Sequence, residues 1–300
     1  MTQPDGYTPD GGIADSGLAD FAGKTQYDWQ TAQRQTMLDR FGPAQRGFFN
    51  IFGSIARAQE SANFANKTNL VSLASTLAGA VSGGVDVSDT FSGSAASSLG
   101  SSWSRSSGGP GAGTWGPNGS GSVKWTPSGH TYRMHADRYN TPLSTEFQAV
   151  MTILSSAPKT TVTFNDGYNY LFARMNSSKT TFVWVRIGAL NIKIGNCVGG
   201  SITDPTTWSS PWDSRTTKNV GGDQFALLCG TNASRHNFIV LKNGYSQIDT
   251  TDTTSSPYDP STYGYVGMGA RAESPILSLS QTIPGNVDVF AAADRQPSTT

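Results

Sequence analysis

Residues 221–249, GGDQFALLCGTNASRHNFIVLKNGYSQID, hold an apolar run at 225–228, a polar turn, a second apolar run at 238–241, and Asn243-Gly244 ahead of a third extended piece. Asn-Gly between apolar runs predicts a two-residue type I′ turn, because both residues tolerate the positive φ that such a turn demands. The stretch therefore reads as three consecutive antiparallel strands. Phe238, Ile239, Val240 and Leu241 are all apolar, so this strand is expected under cover on both faces, as inside a sandwich of two sheets.

Extended segments recur after residue 88. Strands are expected at 132–136, 146–154, 160–164, 168–175, 180–187, 190–198, 263–270, 276–283 and 287–292. Asn165-Asp166-Gly167 supplies one hairpin turn, and Gly188-Ala189 a second, with glycine at the first central position as a type II′ turn wants. In the strand after that turn, Leu190, Ile192 and Ile194 point one way while Asn191, Lys193 and Asn196 point the other. Residues 106–122 read as a glycine-rich excursion around Trp115, and residues 199–220 as a polar loop holding Trp208 and Trp212. Many short strands separated by turn residues predict a mainly β fold, a sandwich or jelly roll over residues 89–294.

The amino-terminal part has another character. Residues 1–24 are rich in Pro, Gly and Asp without a sustained period, which predicts an extended arm that docks on a neighbour. Residues 25–82 read as a helical docking or oligomerisation segment, 83–88 as a linker and 295–300 as a tail. Within the helical segment Phe48, Phe52, Ile55, Gln59, Ala62, Asn66, Asn69, Leu73 and Thr76 follow spacings of three and four. That seam fits a short parallel bundle with polar core positions that set register, or equally a helix pair packing on its own domain.

Composition supports the strand reading and narrows the partners. Charged residues are 14% of the chain, Gly numbers 34, and Glu is confined to Glu60, Glu146 and Glu273, a palette for strands and turns rather than helices. Lys+Arg and Asp+Glu are 21 each, so no global field draws nucleic acid or an acidic membrane surface. The first twenty residues have neither a basic start nor an apolar core, and no stretch is apolar enough to span a bilayer. Synthesis in the cytoplasm is expected. Cys197 and Cys229, the two cysteines, read as buried free thiols.

Catalytic chemistry finds little support. A glycosidase needs an acid and a second carboxylate flanking the scissile bond, and no Glu-x-Asp-x-x-Glu spacing exists; carboxylates from separate loops, such as Asp166 with Asp213, are the remaining way to bring two together. His130, His135 and His236 sit beside no Ser-Asp or Cys arrangement in the sequence. Asp249, Asp252 and Asp259 lack the spacing of a calcium loop. The expectation is no enzyme, no metal and no cofactor. Sugar binding asks instead for aromatic faces with polar neighbours. Trp208, Trp212 and Asp213 in one loop, with Tyr258 and Asp259 in another, offer that chemistry, although the tryptophans would serve equally to pin the loops. Tyr168, Tyr170 and Trp184 fall within strand alternation and read as core or sheet-face residues.

Several stretches also carry a likeness. DTFSGSAASSLGSSWS, STEFQAVMTIL, YNYLFARMNSSKTTFVWVRIG, GGDQFALLCG, FIVLKNG and YGYVGMGAR, in that order, resemble a concanavalin A-like lectin/glucanase sandwich. The opening MTQPDGYTPDGG, the helical segment and the DTFSG junction resemble minor tail proteins of bacteriophages that infect mycobacteria and related actinobacteria. The resemblance implies a virion structural subunit, a homotrimer bound to other tail proteins through its arm and helices, presenting a lectin-like domain to a host cell-wall glycan. A purely structural virion subunit and an envelope-polysaccharide hydrolase are the alternatives.

Overall fold

The structure, a computed structural model, describes residues 84–128, 132–159, 167–231, 234–252, 260–273 and 282–295. The arm, the helical segment, the strand at 160–164, the turn residues Asn165 and Asp166, and also His130, Tyr258 and Asp259 lie outside the described residues. The strands among them are β1 (Asp86–Asp89), β2 (Trp103–Gly108), β3 (Ala112–Pro117), β4 (Val123–Ser128), β5 (Arg133–Tyr139), β6 (Gln148–Leu154), β7 (Tyr168–Met175), β8 (Phe182–Ile187), β9 (Asn191–Cys197), β10 (Asp213–Thr216), β11 (Gln224–Cys229), β12 (Asn237–Lys242), β13 (Tyr245–Thr251), β14 (Tyr265–Ala272) and β15 (Val287–Asp294). A one-turn helix, Pro260–Tyr263, precedes β14.

The strands form two antiparallel sheets. One runs β13-β12-β11-β6-β15-β4-β3, with β1 also against β15; the other runs β10-β9-β8-β7-β14-β5-β2. Period-two alternation puts Leu171 and Ala173 of β7, Val183, Val185 and Ile187 of β8, and Ile192 and Ile194 of β9 into the inter-sheet core with Val150, Leu227, Phe238, Val240 and Phe290 of the first sheet. The mainly β, two-sheet sandwich expected from the sequence is what the chain builds.

The meander β11-β12-β13 follows the sequence closely. Asn243 and Gly244 take φ of 51° and 82°, as a type I′ turn requires. Phe238, Ile239, Val240 and Leu241 are all buried, so β12 is covered on both faces. Both cysteines are free and buried, and burial pushes the Cys229 thiol up to about 11.

Several boundaries differ from expectation, each for a physical reason. Residues 86–88, placed in the linker, form a strand with Asp89 that pairs with β15. Arg295, placed in the tail, is buried, and its guanidinium donates to the Gly230 carbonyl. The glycine-rich excursion at 106–122 in fact holds the end of β2, all of β3 and the turn into β4, and Trp115 faces Trp125 across the β3-β4 pair. Its small residues hid the alternation, since Trp115 is the one large inward side chain of β3. The β8-β9 turn centres on Ala189-Leu190: Ile187 pairs with Ile192 and Arg186 with Lys193. Gly188 is not among the positive-φ glycines, so the type II′ turn is not formed. Segment 217–219 braces this turn from outside, with Thr217 N–H donating to the Leu190 carbonyl, Asn219 N–H to Ala189, and the Asn219 amide to Gly188 and Asn191. Leu190 is consequently 45% exposed rather than aligned with Ile192 and Ile194.

Candidate functional site

The outer face of the second sheet carries a second cluster of large side chains. Met134, Ala136, Tyr170, Phe172, Phe182, Trp184 and Cys197 pack there with Ile202, outside the inter-sheet core. The loop between β9 and β10 covers them. It leaves β9 with Gly200 N–H donating to Thr180, reaches the far edge, where a Cβ on Gly108 of β2 would strike Thr203, and returns with Trp212 N–H donating to Ile194. A 3-10 turn at Pro205–Thr207, capped by the Asp204 carboxylate accepting from Thr206 N–H, shapes its tip.

This path decides the fate of the tryptophans. Trp208 lies over the outer cluster, with ring centroids 5.4 Å from Tyr170, Phe182 and Trp184, and its indole N–H donates to Ser201. Trp212, four residues on, packs from the edge into the inter-sheet core, 5.1 Å from Phe238. The two rings serve opposite faces of one sheet and form no common platform. Asp213 is exposed at the start of the edge strand β10, where its carboxylate accepts from Ser214 N–H. Of the residues expected to bind sugar, Trp208, Trp212 and Asp213 share no common platform, and Tyr258 lies outside the described residues.

A different group converges beside the loop. Outer-face register aligns Lys193, Arg186 and Tyr170 across β9, β8 and β7, and Tyr168 with Arg271 across β7 and β14. The Arg186 guanidinium lies over the half-buried Tyr168 ring, its central carbon 4.5 Å from the ring centre, a cation–π contact. Arg271 lies 4.8 Å from the centre of the Tyr132 ring and pairs at 2.6 Å with Glu273. Burial raises the Glu273 carboxyl above its usual range against the opposing pull of Arg271 and Arg186. The Tyr170 phenol, pushed up to about 12 by burial, and the Nε groups of Arg186 and Arg271 are buried without a hydrogen-bond partner. The result is a shelf of aromatic ring, guanidinium and carboxylate with donors to spare, the chemistry that receives a polyhydroxylated ring. Sequence alternation had Tyr168 on a sheet face; what it lacked was the β8-β9 register that sets Arg186 beside Lys193.

Two other places offer less than the shelf. A cleft of about 440 Å³ between residues 95–97 and the outer face of β3-β4 is lined by Ala, Ser, Thr, Gly, Pro, Asn118 and Lys124, with no aromatic ring. The β2-β5 pairing also brings Ser107 to His135, Oγ to Nδ1 at 2.7 Å, with Nε2 facing the Gly113 carbonyl at 3.0 Å. This resembles a nucleophile and base, which the linear sequence concealed. Burial, opposed by the Gly113 hydrogen bond and assisted by Arg105 and Arg133, lowers the His135 pKa to about 4, away from the near-neutral range in which a general base works best.

The same shift sets a pH dependence. The unfolded histidine titrates near 6.5 and the folded one near 4, so as the pH falls the unfolded chain takes up the proton first. Stability from this group is fully present above about pH 6.5 and lost towards pH 4, roughly 2 kcal/mol after discounting for solvent screening at the open edge of the sandwich. Urea unfolding across that window should show this slope, and His135→Gln should remove it relative to the parent.

Among the described residues no three His, Cys, Asp or Glu side chains cluster as metal ligands, and no helix is long and apolar enough to cross a membrane. Solved structures to which the chain is similar include the exoplasmic/lumenal domain of VIP36 in its Ca2+/Man2-bound form, 14% identical with a TM-score of 0.46 over 72% of this chain and 89% of that one. Another is the Emp47p carbohydrate recognition domain, 8% identical with a TM-score of 0.47 over 70% and 95%. A third is the carbohydrate binding module CBM66 from Bacillus subtilis, 12% identical with a TM-score of 0.36 over 65% and 92%. No curated protein matches the sequence. A family model does match, over residues 57–298, and the chain belongs to that family, the Domain of unknown function (DUF7257).

Proposed function

We propose that this chain is a virion structural protein of the minor tail type, whose sandwich binds a host cell-wall glycan without turnover. The observation that carries the glycan reading is the shelf of Tyr168, Arg186, Arg271 and Glu273 beside the loop at 199–212, where a half-buried ring and partnerless donors meet. The tail assignment rests on the likeness of the opening arm, the helical segment and the DTFSG junction to minor tail proteins. In that setting a homotrimer, joined to other tail proteins through residues 1–82, would add several weak sites into one avid contact.

A purely structural virion subunit is the second reading, and the use of Trp208 and Trp212 as loop anchors favours it. Affinity electrophoresis of the full chain through gels containing mycobacterial arabinogalactan and related cell-wall polysaccharides separates the two. Retardation by at least one polysaccharide, lost on Tyr168→Ala, is the expected result; unretarded migration in every gel would support the structural reading. Sedimentation of the same preparation reads the assembly, with a trimer of the 31.7 kDa chain expected and a monomer counting against it.

A further inference from the structure

Arg186 and Lys193 are directly opposed across β8 and β9 on the outer face. Like charges in directly opposed positions destabilise a sheet, and a sequence under no other demand would separate them or place a carboxylate between them. Neither is done here. The acidic groups around the shelf have other partners: Glu273 pairs with Arg271, Asp204 accepts from the Thr206 hydroxyl and N–H, and Asp213, opposite Ile194 on β10, accepts from Ser214 N–H. Among the described residues, no carboxylate lies within ion-pair distance of Arg186 or Lys193.

The pair is also held ready. The Arg186 guanidinium carbon sits over the Tyr168 ring, 4.5 Å from its centre, and the Arg186 Nε and the Tyr170 hydroxyl are buried without a partner. Lys193 is half-buried, and its pKa is lowered by burial and then by Arg186; an anion arriving between the two would offset their mutual repulsion.

Resting on the glycan reading above, we infer that the shelf takes an acidic sugar, its carboxylate or phosphate seated between Arg186 and Lys193 while the sugar ring packs against Tyr168. A planar guanidinium donates two N–H bonds to such an oxyanion, and the flexible ammonium donates to it from the side. The chain as a whole has no net charge, so this selectivity is local to the shelf.

The test is titration calorimetry of the full chain with three probes: a galacturonic acid tetrasaccharide, the same tetrasaccharide with its carboxyls reduced, and galactose 6-phosphate. The tetrasaccharide acid should bind about tenfold more tightly than its neutral counterpart, with the preference shrinking as salt rises. Arg186→Gln or Lys193→Gln should abolish the preference, and Arg186→Lys should keep part of it. Tighter binding of the sugar phosphate than of the acid identifies phosphate as the natural anion; the reverse identifies a uronate. Equal affinity for acid and neutral probes, or a preference that survives both glutamine variants, overturns the acidic-sugar inference while leaving glycan binding intact. Failure of every probe and of every cell-wall polysaccharide to bind overturns both.

Discussion

Replacing Asp294 with alanine is expected to destabilise the sandwich by about 3–5 kcal/mol, a larger loss than any substitution on the shelf should cause. Asp294 ends β15 almost fully buried. One carboxylate oxygen accepts from Ser144 N–H at 2.9 Å and Thr145 N–H at 3.0 Å; the other accepts from Val85 N–H at 2.7 Å and from the Ser144 hydroxyl. It therefore ties the entry to β1 and the segment before β6 to the last strand of the same sheet. Alanine would leave three backbone N–H groups without their acceptor, each costing about 1–3 kcal/mol where water cannot replace it. An asparagine side chain would keep one acceptor oxygen, so Asp294→Asn should recover part of the loss. Urea unfolding reads both, with a lowered midpoint and an unchanged slope; a loss under about 1 kcal/mol for Asp294→Ala would contradict this role.

Trp208→Ala is the second. Removing the ring takes away edge-to-face and tilted contacts with Tyr170, Phe172, Phe182 and Trp184 and the hydrogen bond to Ser201. Trp208 is only half-buried, so the expected cost is about 2–4 kcal/mol, somewhat under that of a fully buried tryptophan. Trp208→Phe should restore most of it. The outcome also separates two roles for the residue. An anchor loses stability when truncated. A sugar platform loses binding with its stability intact, so unchanged unfolding beside abolished polysaccharide retardation would return Trp208 to the binding site.

How far the sequence could be read depended on whether a signal was local. The Asn243-Gly244 turn and the doubly apolar β12 are local patterns, and both appear as expected. The β8-β9 hairpin shows the opposite case. Its turn is braced by Asn219, which lies 28 residues from its partner Asn191, so Gly188 drew the turn to the wrong place. The resulting two-residue slip kept every face assignment within the strand but concealed that Arg186 opposes Lys193. The separation of Trp208 from Trp212 has a related cause. Nearness within a loop carries no orientation, and the loop returns to β9 between them, sending one ring outside the sheet and the other inside. Ser107 and His135 meet only through the β2-β5 register, which no spacing in the chain encodes.

Glycan is expected to land on the outer face of the second sheet, beside the loop, rather than in the β3-β4 cleft or nowhere. Hydrogen exchange of the full chain, with and without a polysaccharide that retards it, tests this directly. Slowed exchange should concentrate at residues 168–170, 186–193 and 271–273; slowing confined to residues 95–97 and 114–126, or no change anywhere, would contradict it.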